Sequence, residues 1–352
     1  MEFERVYYNS KLPQNILNEL EHVLRDCEKI CVNSAKEIKI GAADSAEKMN
    51  KGKRIIYLST SKKQLKAAPG CKAGYCPGFQ KIVIASNGCP FSCEYCFLQG
   101  TYRTLRPYIT VNCNVDDLIK EIEADLEKAQ DPVIYNAGEM LDSLALDQFT
   151  KITQKLVPFF AKKENAYLLL LTKSNNIDGL RNVNHNGKTI VSWSINCEEI
   201  INRYEHGTAR LEERVSAAVK CAEWGYPIRF RFDPLILHEG WQENYKKMVD
   251  FVLSRIVPQR ITIGSLRFAP AVRSIALRRF PESEIFNYDF TRPLEDGKCR
   301  YTIEERIALY SVVLDEIRKN NSNVEVGLCK ESKEVWDMLN LKGRGRICNC
   351  LL

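Results

Sequence analysis

The residues with the most chemical potential lie in one short run, Ser86-Asn-Gly-Cys89-Pro-Phe-Ser-Cys93-Glu-Tyr-Cys96-Phe-Leu-Gln. A C-x3-C-x2-C loop offers three thiolates. These can hold three irons of a cubane [4Fe–4S] cluster and leave the fourth iron open to a non-protein ligand. An open iron is a site for redox chemistry. A structural zinc site is the competing reading, but zinc wants four ligands, and the next histidine along the chain is His185.

The chain has 14 cysteines, unevenly spread. Cys71 and Cys76 precede the loop, while Cys329, Cys348 and Cys350 crowd the C-terminal end. A cytosolic compartment keeps thiols reduced, so metal binding or catalysis must account for some of them. A C-x-C pair in a tail would fray and oxidise if packing were its only purpose. Cys329, Cys348 and Cys350 therefore read as ligands of an auxiliary [4Fe–4S] cluster. A labile redox pair or a zinc site is the alternative, and Cys71, Cys76 or Cys299 is available to complete the shell. Cys27 and Cys31, four apart on an expected helix, read as small core residues. So do Cys113, Cys221 and Cys197, although Cys197 follows a strand end and has a second reading as a hydrogen donor.

These residues need elements to position them. Residues 1–78 form a small N-terminal α/β unit, with a helix expected over 15–29, a strand over 54–58 and a Lys-rich, Pro/Gly-punctuated connection over 62–78. From residue 79, short apolar strands alternate with amphipathic helical stretches, as βα units around a parallel sheet do. Strands are expected at 81–85, 133–136, 167–172, 189–196, 227–233 and 260–266. Six strands predict a partial (β/α)6 barrel over 79–270, followed by a helical, cysteine-bearing extension over 271–352.

Alternation along the strands separates their two faces. Val191, Trp193 and Ile195 share one parity, and Ser192, Ser194 and Asn196 the other; Phe230 and Phe232 oppose Arg229, Arg231 and Asp233. Helices must cover the apolar face, so the polar parity points inward, and a polar lumen is expected to hold a polar ligand. Glu139, Lys173, Asn196, Asp233 and Arg267 fall at or just after strand ends. Parallel α/β sheets build their sites there.

Composition narrows the partners. With 51 Lys+Arg against 45 Asp+Glu, the net charge of +6 suits an anionic substrate and permits nucleic acid without demanding it. The Met-Glu-Phe-Glu-Arg start lacks the pattern of a secretory signal. No apolar run approaches the roughly 18–20 residues of a membrane span, so a cytoplasmic protein with no membrane partner is expected. A chain of 352 residues can bury a full core without disulfides.

The cysteine loop resembles that of the radical SAM superfamily, and further segments narrow the resemblance. Cys-Glu-Tyr-Cys-Phe-Leu-Gln over 93–99, Arg106-Pro-Tyr-Ile, Thr172-Lys173, Ser194-Ile-Asn196, Tyr204-Glu-His-Gly-Thr208, Arg214 with Ala217-Ala-Val-Lys, Gly225-Tyr-Pro227 and His238-Glu-Gly-Trp241 are similar, in order, to segments of the spore photoproduct lyase family. The resemblance implies a cluster on Cys89, Cys93 and Cys96 whose open iron binds S-adenosylmethionine (SAM). It also implies SAM contacts from Lys173 and Ser194, Phe97 beside the cluster where the family has tyrosine, and a carboxylate at Glu139 for the SAM amino group. Asn196 and Asp233 join these as cofactor-binding candidates. Each also has a structural reading: Ser194 as a partner for a barrel neighbour, Lys173 as a surface residue, His238 as a fixed structural histidine. The implied chemistry is reductive cleavage of SAM to a 5′-deoxyadenosyl radical that takes hydrogen from a pyrimidine nucleotide or nucleoside. Electrons would come from a reductase such as flavodoxin or ferredoxin. Arg229, Arg231, Arg267 and Arg273 are candidate anchors for anionic groups, or internal ion-pair partners.

Two departures point to a divergent, non-repair member. The family's hydrogen-returning cysteine has no counterpart in Gly138-Glu-Met-Leu-Asp142-Ser143-Leu, which leaves Asp142, Ser143 and Cys197 as catalytic candidates. The family's lesion-clamping hairpin is not recognisable; in its place stands Glu295-Asp-Gly-Lys-Cys-Arg-Tyr301, expected to lead into a helix. Two rival readings stand beside the lyase-like one. The first is a sulfur-insertion enzyme using the auxiliary cluster as donor. The second is a non-catalytic iron–sulfur or zinc protein that binds nucleic acid through the basic stretch 51–72 and predicts no SAM binding.

Overall fold

The computed structural model describes residues 3–21, 27–67, 81–102, 106–321, 323–341 and 347–352. In chain order the strands are β1 (Arg5–Asn9), β2 (Glu28–Val32), β3 (Ile55–Ser59), β4 (Leu65–Ala67), β5 (Lys81–Val83), β6 (Ser86–Asn87), β7 (Ser92–Cys93), β8 (Ile109–Asn112), β9 (Val133–Asn136), β10 (Ala166–Thr172), β11 (Thr189–Ser194), β12 (Glu205–His206), β13 (Ile228–Leu235), β14 (Arg260–Ser265), β15 (Arg267–Phe268), β16 (Cys299–Arg300) and β17 (Glu325–Leu328). The main sheet has the order β17-β14-β13-β11-β10-β9-β5-β4. All its pairings are parallel except that of β4 with β5.

Each of the six expected barrel strands is present, and β17 adds a seventh parallel strand at the β14 edge. Its sequence, Glu-Val-Gly-Leu, is short and interrupted by glycine, too weak a signal to register among the residues of the expected helical extension. The two edge strands do not pair, so the sheet is not closed into a barrel. A second sheet, β2-β1-β3-β8-β6, combines strands from the N-terminal residues with β6 and β8 from beyond residue 78, while β4 joins the main sheet.

The helix expected over 15–29 is shorter. It runs Gln14–Glu21, and Lys29 and Cys31 belong to β2, where Lys-Ile-Cys-Val pairs with β1. Cys27 and Cys31 therefore do not share a helix face; Cys31 is exposed on the edge strand and the Cys27 thiol donates to the Phe3 carbonyl at 3.0 Å. Sheet pairing with the apolar β1 outweighs the weak helical periodicity.

The apolar parity is buried as expected. Leu168, Leu170, Val191, Trp193, Phe230, Phe232, Ile261 and Ile263 form one core with residues of the outer helices Ile152–Ala161, Leu211–Glu223, Trp241–Leu253 and Ile303–Asn320. Each such side chain contributes about 1.5–3 kcal/mol by leaving water. The polar parity has an occupant that the sequence did not reveal. Residues 347–351 lie across it, and the buried Asn349 amide donates to Ser192 Oγ and to the Phe230 carbonyl, both at 2.9 Å. Arg229 donates to the Asn349 carbonyl at 3.0 Å, and Arg260 to the carbonyls of Cys348 and Leu351, each at 2.9 Å. Much of the polar lumen is thus satisfied by the chain's own tail, not by a ligand. Gly327 in β17 makes room for it, since a Cβ there would stand 1.9 Å from the Ile347 carbonyl oxygen.

Candidate active site

The carboxyl ends of the main-sheet strands and the cysteine loop enclose a cavity of about 320 Å³. Cys89, Cys93, Cys96 and Phe97 line it, as do Glu139, Asp142, Lys173 and Ser194, and as do Arg231, Asp233, Arg267, Cys329, Cys348 and Cys350. Both cysteine groups therefore open on one space.

The cysteine loop is fixed from several sides. Gly88 turns the chain out of β6 at φ +90°, where a side chain would be strained and would press on Ile109 and the Tyr108 carbonyl at 3.3 Å. Lys53, which caps the helix Ser45–Gly52, donates to the carbonyls of Cys89 (2.5 Å) and Phe91 (2.6 Å). β7, which contains Cys93, pairs antiparallel with β12, and Gln99 Nε2 donates to the Glu94 carbonyl at 2.7 Å. Burial pushes the Cys89 thiol up to about 12 despite the opposing pull of Lys53, and burial with Glu205 nearby pushes Cys93 well above the ordinary thiol range. A coordinating metal reverses that balance, because a bound thiol is deprotonated outright. Among the described residues no three His, Cys, Asp or Glu side chains converge as a single metal ion requires. A cubane instead spreads its thiolates over separate irons, and three thiols of one loop on one cavity wall fit that donor set.

Beside the loop, Lys173 Nζ hydrogen-bonds Ser194 Oγ and lies 3.4 Å from Glu205. Burial alone would raise the Glu205 carboxyl, but Arg214 and Lys173, with a hydrogen bond from Tyr95, hold it down at about 2. Ser194 Oγ donates to the Asp233 carbonyl at 3.2 Å. The Asp233 carboxylate takes both Arg267 Nη atoms at 2.7 and 2.9 Å, in space that Gly264 leaves free. Burial would raise the Asp233 carboxyl, and Arg267 overrides it, holding it at about 2. Asp142 faces the cavity but is saturated: it accepts from Thr172 Oγ1, from the amides of Leu144 and Ala145, and from the Lys173 amide at 2.6 Å.

Ser143, Asn196 and Cys197 stand behind the cavity wall. Ser143 Oγ accepts from the Leu171 amide at 2.9 Å, and Asn196 Nδ2 donates to the Pro234 carbonyl at 2.8 Å. Cys197 is buried with its sulfur 3.9 Å from His238 Nε2, and burial pushes its thiol up to about 12. His238 is held by the Ile236 carbonyl at 2.9 Å and by Asn244 at 3.0 Å. Of the arginines, Arg229 is committed to the tail and Arg267 to Asp233. Cys71 and Cys76 lie outside the described residues.

A family model described as Spore photoproduct lyase matches residues 20–312. The chain belongs to the spore photoproduct lyase family. That family places it among the radical SAM enzymes. The spore photoproduct lyase of Bacillus subtilis (strain 168) is 29% identical over 231 residues, 64% of this chain and 65% of that protein; the chain thus spans slightly under two thirds of that relative. The spore photoproduct lyase of Clostridium acetobutylicum is 26% identical over 307 residues, 85% of this chain and 89% of that protein. A solved spore photoproduct lyase complexed with dinucleoside spore photoproduct shares the fold with a TM-score of 0.82 at 21% identity, covering 94% of this chain and 99% of that one. A variant lyase with bound AdoMet and dinucleoside spore photoproduct gives 0.80 at 22% identity, covering 93% and 99%. Among the described residues no helix is long and apolar enough to cross a membrane.

Within this family frame the structure adds residues that sequence reasoning missed. Tyr95, Glu205 and Arg214 form a buried hub behind the cysteine loop; Glu205 lay inside a recognised segment, but nothing marked its role. Lys298 and Lys330 also line the cavity. Burial, with Lys330 close by, lowers Lys298 to about 8. Residues 295–301 lead into the helix Ile303–Asn320, as expected, and bring Lys298 to the cavity on the way. They fold back, with Thr291 bridging Arg300 and β16 pairing with β15, around the turn at Asp296-Gly297 that Arg300 ties down.

Proposed function

We propose that this chain is a spore photoproduct lyase-like radical SAM enzyme that takes a hydrogen atom from a nucleotide- or nucleoside-type substrate. The observation that carries the reading is the joining of Cys89, Cys93 and Cys96 with the Lys173–Ser194 pair in one cavity. When bound, a cluster with one open iron supplies the electron that cleaves SAM to a 5′-deoxyadenosyl radical, and that radical takes hydrogen from the substrate. The chain's own part is to hold and orient. Lys173, kept in place by Glu205, presents a cation beside the loop; Glu139 offers a carboxylate to an amino group; Ser194 and the Asp233 backbone line the space between strand ends. Phe97, 46% exposed at the mouth, covers the loop with an apolar face. Lys298 and Lys330 supply positive charge for an anionic substrate group. A volume of about 320 Å³ is at the small end for a ligand pocket, so cofactor and substrate would fit closely.

The seven parallel strands of the open eight-stranded sheet make a partial barrel with its site at the carboxyl rim. The solved lyases with bound AdoMet and dinucleoside spore photoproduct support the cofactor and the substrate class. The electron would come from a reductase such as flavodoxin or ferredoxin. The test is release of 5′-deoxyadenosine by anaerobically reconstituted protein given a chemical reductant and SAM. Release by the native chain and its loss in Cys93→Ala support the reading, and a native protein that leaves SAM intact overturns it. Sulfur insertion is the second reading, favoured by the opening of Cys329, Cys348 and Cys350 on the same cavity, and it predicts a product heavier by sulfur.

A further inference from the structure

Cys329 follows β17, and Cys348 and Cys350 flank Asn349, yet all three thiols line the cavity. The tail that delivers two of them is anchored through Asn349 and through main-chain carbonyls. Asn349 takes Ser192, Phe230 and Thr262, while Arg229 and Arg260 take main-chain carbonyls on either side. Two guanidiniums then point at sulfur: Arg231 Nη2 donates to Cys350 Sγ at 3.0 Å, and Arg267 Nη2 to Cys329 Sγ at 3.2 Å.

This geometry discriminates among metals. A bare dication such as zinc would need four donors around one point and would sit against two fixed positive charges. Among the described residues no such convergence exists. An iron–sulfur cluster with thiolate ligands is anionic, holds its cysteines on separate irons, and is stabilised by N–H groups aimed at sulfur. The side chains of this part of the wall, Arg231, Arg267, Lys298 and Lys330 against Asp233 and Glu139, carry an excess of positive charge that an anionic group offsets.

We infer that Cys329, Cys348 and Cys350 ligate a second [4Fe–4S] cluster whose fourth iron faces the cavity. The site is independent of which substrate the enzyme takes and of which reaction follows SAM cleavage.

The test compares the anaerobically reconstituted full chain with two variants, Cys89→Ala/Cys93→Ala/Cys96→Ala and Cys329→Ala/Cys348→Ala/Cys350→Ala. Iron, labile sulfide and zinc are counted, and reduced samples are examined by electron paramagnetic resonance. Two four-iron clusters give about eight irons per native chain and about four in each variant. The signal that survives in the loop variant should be indifferent to added SAM, and the signal in the tail variant should shift with it. A native chain with about four irons and an iron-free loop variant would overturn the inference, as would zinc retained at the tail. Cys350→Ser, which keeps the size and polarity of the side chain, guards against a misfolded triple variant; it should keep the native melting temperature and lose iron. Release of 5′-deoxyadenosine by the tail variant reads the proposed activity separately, so loss of one reading leaves the other standing.

Discussion

Glu205 and Arg214 meet at 2.6 Å with neither side chain exposed, and the same carboxylate receives the Tyr95 hydroxyl from the cysteine loop. One acidic residue thus ties the helix Leu211–Glu223 to the loop that carries the thiols. Glu205→Gln leaves the Arg214 charge buried without its counter-ion, a loss of about 3–5 kcal/mol. A lower denaturation midpoint and poorer iron retention are expected; an unchanged midpoint would show that the hub is dispensable.

The same carboxyl sets a pH dependence. Its folded-state value of about 2 lies below the ordinary 4.5, so the pair's contribution is fully present above about 4.5 and is lost as pH falls from there toward 2. The part lost is on the order of 3 kcal/mol. Chemical denaturation at stepped pH should show this slope in the native chain and a shallower one in Glu205→Gln.

Lys173→Ala removes the cation beside the loop and the partner of Ser194. SAM binding, followed by calorimetry on reconstituted protein, should weaken about tenfold to a hundredfold, the range expected when one charge-assisted contact is lost. Ser194→Ala should cost less, because its main charged neighbour stays in place.

Cys197 sits behind the wall with its sulfur toward His238. Cys197→Ala should therefore leave 5′-deoxyadenosine release and the product unchanged within about twofold, since no reacting group loses a contact. A product radical that goes unquenched in this variant would restore Cys197 as the hydrogen donor.

Asn349→Ala leaves Ser192, Thr262 and the Phe230 carbonyl short of a buried partner, at about 1–3 kcal/mol for each group. Gly327→Ala should have the same effect by steric means alone, because its Cβ collides with Ile347. Matching falls in melting temperature for both variants would show that tail seating, not one hydrogen bond, is the quantity that matters.

The cysteine loop and the six barrel strands were legible because both signals are local. A C-x3-C-x2-C spacing and a period of two each need only a few residues. Lys173, Ser194 and Asp233 were legible as strand ends. The occupant of the lumen was not, because the parity of Ser192, Arg229 and Arg231 states that a polar partner exists without saying which. Asn349 is far from all three in sequence. Lys298 was missed for a related reason: the turn that aims it depends on Thr291 pairing with Arg300, and 295–301 taken alone reads as a lead into the following helix. Four-residue β17, broken by Gly327, carried too little pattern to stand out, although it supplies the edge along which the tail lies.

The contacts that seat the tail have a kinetic meaning as well. Arg229 and Asn349 are 120 positions apart, and Arg231 and Cys350 are 119. Closing loops of that length pays its entropy before any contact rewards it, so such contacts form late. The parallel strands are therefore expected to assemble over an open floor, with Cys348 and Cys350 reaching the cavity wall late in folding.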